Sequence, residues 1–265
     1  MNNHKQCPFC SSQSFIKYGR YKNIQRYQCK SCKKTFSDCT NSVWYNSKKS
    51  SNTWYNYCFL MFSGNSIRAC ATKLHISLSA SFKWRHKILN KLPHCNDKIF
   101  LYNYIGLKHM KFRESFKGQK VPPVSFIKEP RKNVFISITV NEKFMSSSKI
   151  VSKGMLFQQL SYDLLKKKVK FNSNIIGFYD RYAPAIARRL NKELKRFKEC
   201  TSLRKIYLKD LLYAFSSLLA SWLSIFRGVA TKYLDSYLYW FVHVFEDSFK
   251  NKVMTSNLIN AIFCS

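Results

Sequence analysis

Four cysteines constrain this chain more than any other residues. CPFC at 7–10 and CKSC at 29–32 make the pattern C-x2-C-x18-C-x2-C. Each C-x2-C forms a tight knuckle, and two knuckles can surround one Zn2+ with four thiolates in a tetrahedron. Free cysteines paired by chance, or a single redox-active C-x2-C, explain the spacing less well, because the second pair then has no job. Cys7, Cys10, Cys29 and Cys32 are therefore the candidate metal ligands. The ion they imply is structural, since four protein ligands leave no open position for a substrate. Between the knuckles, SFIKYGRYKNIQRYQC reads as a β-hairpin turning around Gly19 to Asn23. So small a unit has almost no core, and the metal is expected to supply its folding energy.

The charge balance then bounds the partner. The 265 residues carry 46 Lys and Arg against 13 Asp and Glu, a formal net charge of +33. Solubility needs far less, so a polyanion partner is expected: nucleic acid ahead of an anionic membrane surface. Compositional drift is the competing account, because Lys, Asn, Phe, Tyr and Ile are all abundant. Local arrangement favours the partner. Lys17, Arg20, Lys22, Arg26, Lys30, Lys33 and Lys34 surround the cysteines, and the only acids before residue 98 are Asp38 and Asp97. The polar stretch MNNHKQCPFC shows no signal peptide. The longest uncharged apolar run, residues 211–226, has 16 residues including four serines, and reads as a buried helix rather than a membrane span. Six of the ten cysteines lie outside the metal pattern and are scattered, which suits a reducing cytoplasm.

Texture divides the chain into residues 1–45, 46–95, 96–250 and a tail at 251–265. In the second segment Ser66 caps a short helix bearing Ile67, Cys70, Ala71 and Leu74 on one side. A turn at His75 to Ser77 follows. A helix from about Ser79 then carries Trp84, Ile88 and Leu92 on one stripe and Lys83, Lys87 and Asn90 on another. Residues 52–62 supply a supporting helix. Helix, short turn, basic helix is the order of a helix-turn-helix, whose second helix enters the major groove. A plain helical hairpin with solvated lysines has the same pattern. Arg68, Ser79, Lys83, Arg85, His86 and Lys87 are the candidate DNA contacts.

The third segment reads as strands at 98–107, 133–140 and 148–152, a helix at 154–165, a buried strand at 172–180 ending in Asp180, a helix at 182–197, a short strand at 202–208, and helix thereafter. Residues 120–132, with three of the six prolines, read as a long loop. The order βββ-α-β-α-β-α is the one expected of a ribonuclease-H-like domain. The expected fold class is therefore multidomain α+β: a zinc ribbon, a helix-turn-helix and a ribonuclease-H-like α/β domain with a helical C-terminal part.

With these segments laid out, the chain resembles bacterial insertion-sequence transposases of the zinc-ribbon DDE type, the ISXO-like group. CPFCSS…YQCKSCKKTF resembles the family's ribbon, and SIRACATKLHISLSASFKWRHKIL its helix-turn-helix. ESFKG at 114–118 resembles the segment after the first catalytic strand, and FRGVATKYLDSYLYWF at 226–241 the C-terminal signature. The resemblance implies binding of double-stranded DNA at an element's terminal repeats, joining of DNA ends by two Mg2+ ions on acidic residues, action as a homo-oligomer, and a setting in the bacterial cytoplasm at the nucleoid. It also implies where the acids belong. An Asp-Glu pair is expected where this chain has Lys108 and His109, and residues 98–113 contain no carboxylate. A protonated lysine repels Mg2+ and cannot ligate it. The second acid matches Asp180, which reads equally as the N-cap of the following helix. The third position falls near Tyr213, with Asp210 one turn earlier as a displaced substitute. The expected function is a transposase-like DNA binder with a degenerate active site, which uses Mg2+ only if it is active. An active enzyme with displaced acids and a repressor derived from a transposase are the alternatives. A zinc-ribbon RNA binder accounts for neither the helix-turn-helix nor FRGVATKYL.

Overall fold

The structure, a computed structural model, describes residues 6–21, 24–92, 100–116, 131–194, 200–226 and 229–249. The chain divides into two compact units, residues 1–95 and 96–252.

In the first unit, β1 (Phe15–Tyr21), β2 (Ile24–Cys29) and β3 (Thr35–Ser37) form an antiparallel sheet in that order. The β1–β2 register slips between Lys17 and Arg20, where Gly19 takes φ +70°, a conformation open to glycine without penalty. Its small core is aromatic. Phe15, Tyr27 and Phe36 bring their rings to 5.3–5.4 Å of one another, beside buried Cys7 and Cys29.

Three helices follow, each opened by a serine. α1 (Ser51–Phe62) is capped by Ser50, α2 (Ile67–Lys73) by Ser66, and α3 (Leu78–Leu89) by Ser77. The third helix thus begins just before Ser79, because Ser77 Oγ accepts the Ala80 N–H at 3.1 Å. Trp54 of α1 stacks on Trp84 of α3 at 3.9 Å, and Ile88, Leu89 and Leu92 are buried. Tyr57 hydroxyl bonds to Ser81, whose own hydroxyl donates to Ile67 O at 2.8 Å, tying the three helices through one polar point.

The second unit is a mixed α/β fold. Its sheet has the order β6-β5-β4-β7, from β4 (Leu101–Arg113), β5 (Asn133–Asn141), β6 (Ser146–Lys153) and β7 (Val169–Gly177). β4 and β5 pair antiparallel, as do β5 and β6, while β7 runs parallel to β4. A parallel neighbour needs a crossover, and α4 (Gln158–Lys168) supplies it. α5 (Tyr182–Glu193) returns against the same face, burying Ile186, Ala187 and Leu190 with Ile105, Leu107 and Ile175. The opposite face takes α6 (Ser202–Ile225), which packs closely over Gly106: a Cβ there would meet Leu212 Cδ1 at 2.8 Å, and that side chain would have to shift. α7 (Thr231–Phe249) lies along the edge strand β6. Asp235 accepts the Ile150 N–H at 2.9 Å, and Glu246 accepts the Ser146 N–H at 2.7 Å. Those carboxylates satisfy donors that an edge strand otherwise leaves open.

The strand expected at 202–208 is helix instead. Thr201 caps it, and Leu208, Leu211, Leu212, Phe215, Leu219 and Leu223 recur at helical spacing, which overrides a short β-like run. β4 extends well beyond 107, so Lys108 and His109 lie within a strand. Most of the proline-rich stretch 120–132 and the tail at 251–265 lie outside the described residues. Where ESFKG and the C-terminal signature fall within them, they meet: the Ser115 N–H donates to Thr231 Oγ1 at 2.8 Å, and the Thr231 N–H to Ser115 O at 2.9 Å.

Candidate functional site

The cysteine knuckles converge as their spacing predicts. The sulfurs of Cys7, Cys10, Cys29 and Cys32 all lie within 4.8 Å of one another, with Cys7–Cys32 at 3.7 Å and Cys10–Cys29 at 3.5 Å. A tetrahedron with metal–sulfur bonds of about 2.3 Å has edges of about 3.8 Å, so the cluster fits a zinc ion. Local donors prepare it. The Cys32 N–H draws the Cys29 thiol down to about 6, and Ser31 N–H adds to this. At Cys10 the Ser12 N–H acts in the same direction, but burial and the three neighbouring thiols prevail and push it up to about 12. Four sulfurs this close resist ionising together unless a cation sits among them. Lys17, Arg20, Lys30, Lys33 and Lys34 are exposed around this cluster.

On α2 and α3, the residues expected to contact DNA separate into two groups. Arg68, Ser79, Lys83 and Lys87 are exposed and His86 is partly so. Lys87 Nζ lies 5.6 Å from the centre of the Trp54 ring and donates to Tyr45 O at 3.1 Å; burial and then Lys91 lower its pKa. Arg85 is different. It is 1% exposed, and its guanidinium donates to Asn65 O at 2.6 Å and faces Cys70 Sγ at 3.9 Å. Its place among the candidate contacts is corrected: it braces the turn before α2 from inside. The buried stripe of α3 is Ser81, Arg85, Ile88 and Leu89, so Arg85 lies on it while Trp84 is only partly covered, which residue type alone does not indicate.

In the second unit, strand alternation sends Lys108 and His109 to opposite faces. His109, with Ile105 and Leu107, turns toward α4 and α5. Its N–H and Nδ1 both reach Asp180 Oδ2 at 3.1 Å, and its Nε2 lies 2.8 Å from Ser161 Oγ on α4. Asp180 Oδ1 accepts the N–H groups of Tyr182 and Ala183 at 2.8 and 2.7 Å, so Asp180 does close the first turn of α5. Burial opposes ionisation of Asp180, but His109 and the Ala183 N–H together hold its carboxyl below the usual range. Gly177 permits this turn, since a Cβ there would collide with the backbone of Ala183 and Pro184. The Asp180–His109–Ser161 chain has the connectivity of a nucleophile-activating relay. Ser161 is nevertheless fully buried, so no substrate reaches its hydroxyl and the chain acts as a structural tie.

Lys108 points to the α6 side. Its amine stands 4.5 Å from the centre of the Tyr179 ring; burial lowers its pKa and Asp180 opposes that shift. Tyr179 donates its hydroxyl to Lys209 O at 3.0 Å, and both Asp210 and Tyr213 lie within electrostatic reach of it. The ends of β4 and β7 and one stretch of α6 thus come together around Tyr179. Among the described residues, the four cysteines are the one cluster of three or more metal-ligating groups, and neither Asp180 nor Asp210 belongs to such a cluster. Glu114 is tied to Lys153 at 3.3 Å. No helix among the described residues is long and apolar enough to cross a membrane.

No family model matches the chain. Among curated proteins, it is similar to an uncharacterized protein in transposable element ISH50 of Halobacterium salinarum, 29% identical over 113 residues. That match covers 41% of this chain and spans 38% of the relative's length. Among solved structures, the crystal structure of a pre-cleavage Mos1 transpososome aligns with 80% of this chain and 81% of its own, at 11% identity and a TM-score of 0.32, too low to assign a fold.

Proposed function

We propose that this chain is a transposase-like DNA-binding protein that grips double-stranded DNA at an element's terminal repeats and does not cut it. Residues 1–45 act as a zinc ribbon along the phosphate backbone, and residues 46–95 as a helix-turn-helix presenting Arg68, Ser79, Lys83, His86 and Lys87. Residues 96–250 act as a ribonuclease-H-like domain. Support for the binding comes from the exposed cations of α2 and α3, the +33 net charge and a relative found in a transposable element. A sheet of order β6-β5-β4-β7, antiparallel except at β4–β7, supports the ribonuclease-H-like assignment.

One observation carries the loss of cleavage. Where the resemblance calls for carboxylates, Lys108 places an ammonium over Tyr179, within electrostatic reach of Asp180, and His109 occupies the carboxylate that remains. Two-metal strand transfer needs acids that are free to ligate. A strand-transfer assay with Mg2+ or Mn2+ on terminal-repeat DNA tests this: retarded migration of the DNA, weakening as salt rises, without cut product is expected. Cut product abolished by Asp180→Ala would overturn the loss of cleavage and favour an active enzyme with displaced acids.

A further inference from the structure

Tyr179 stands in a backbone conformation that a tyrosine rarely adopts. Its φ is +69°, and the Asp180 N–H closes back onto Phe178 O at 3.0 Å, a three-residue γ-turn. Such strain persists only where the surroundings hold it. Here the Phe178 N–H donates to Leu107 O at 2.9 Å, Asp180 is fixed by His109 and α5, and the Tyr179 hydroxyl is anchored on Lys209 O. The turn does not hide the ring: Tyr179 is 49% exposed, and the Lys108 and Lys209 amines lie 4.5 and 6.0 Å from its centre. Tyr213, 65% exposed, is close by. Of the two carboxylates nearby, Asp180 already accepts from His109, Tyr182 and Ala183, which leaves Asp210 against two lysines.

We propose that Tyr179 is a docking site for one nucleotide of an unpaired DNA strand. The base stacks on the ring, and the lysine amine it displaces pairs with the neighbouring phosphate. An aromatic face flanked by cations is how single strands are held without regard to sequence, and a base within a duplex offers no free face to it. This inference rests on the reading of the chain as a DNA binder and names a site for it.

The test uses the full chain with a short fluorescent oligothymidylate and, separately, a terminal-repeat duplex. Tyr179→Gly removes the ring and suits the positive φ, so the variant folds. It is expected to weaken single-strand binding roughly 5- to 100-fold, the loss typical of removing one stacked base, with duplex binding within about twofold of the parent. Tyr179→Phe, which keeps the ring, should bind the single strand like the parent. Unchanged single-strand affinity in Tyr179→Gly overturns the proposal, as does equal loss on duplex or tighter binding of oligouridylate RNA. A parent chain that ignores duplex DNA but loses oligothymidylate on Tyr179→Gly supports this site while sinking the terminal-repeat reading.

Discussion

Asp180 Oδ2 is held by His109 twice, through the backbone N–H and through the imidazole, each at 3.1 Å. The same carboxylate closes the first turn of α5, so one acid joins β4, the end of β7 and a helix. A metal ligand must offer free lone pairs, and this one has spent them. The tie is also a stability element with a definite pH dependence.

Asp180→Ala is expected to destabilise the second unit by about 2 kcal/mol at neutral pH, from the lost cap and the orphaned imidazole. The Asp180 carboxyl is shifted down from the unfolded value of 3.8. Its contribution is therefore complete above that value and is lost as pH falls through the lower folded one. Urea unfolding of parent and variant should converge in acid. A gap of the same size in acid and at neutral pH would show that the carboxylate's charge is not what stabilises the tie.

Lys108→Asp should create what the parent lacks. A carboxylate at this position joins Asp210 near Tyr179, in place of an ammonium, while Asp180 stays engaged by His109 and α5. Millimolar Mn2+ is expected to raise the melting temperature of the variant, by about 1–2 kcal/mol of binding linkage, and to leave the parent and Lys108→Met unmoved. Equal shifts in all three proteins would show that the site is not where the ion binds.

Arg85 and Lys83 sit two residues apart and should respond oppositely. Arg85→Ala removes a fully buried guanidinium and leaves Asn65 O only the distant Cys70 thiol as a side-chain donor, and is expected to cost about 2–4 kcal/mol. Lys83→Ala should leave thermal stability unchanged and lower the slope of log affinity against log salt by about 1. Calorimetry and salt-titrated binding separate the two effects; a stable Arg85→Ala chain with weakened DNA binding would return that residue to the interface.

For the cysteine cluster, about one zinc per chain is expected by elemental analysis. Cys29→Ser should lose it and unfold residues 1–45, because Phe15, Tyr27 and Phe36 are too small a core to hold three short strands. Unchanged zinc content in that variant would rule out these four ligands.

Along the edge strand, burial pushes the Asp235 carboxyl up, against the Ile150 N–H and Lys149. A raised carboxyl contributes most below its unfolded value, and its contribution falls as pH rises through the folded one. Asp235→Asn keeps an acceptor for Ile150 without a buried charge and should be neutral or slightly stabilising at neutral pH. Asp235→Ala should cost about 1–2 kcal/mol. If the two variants melt alike, the acceptor is not what matters at this position.

Much of this was legible in the chain itself. The knuckle spacing, the caps at Ser66 and Asp180, and the alternation of NVFISITV are local signals, each set within a few residues by backbone geometry. Two segments singled out by resemblance, around Ser115 and Thr231, proved to bond to each other, which no spacing could indicate. The failures were also local. Residues 202–208 read like a short strand but open a helix, and Arg85 looks like a surface cation until Asn65 and Cys70 close over it.

The sequence by itself determined the four-cysteine cluster, the serine-capped helices and the absence of acids from residues 98–113, because these depend on residue identity and short-range periodicity. The tertiary structure alone decided that His109 meets Asp180, 71 residues away, and that Lys108 meets Tyr179. Alternation fixes that neighbouring side chains part to opposite faces of a strand. What waits on each face is set by the parallel crossover that brings β7 beside β4, and that pairing is a property of the folded chain.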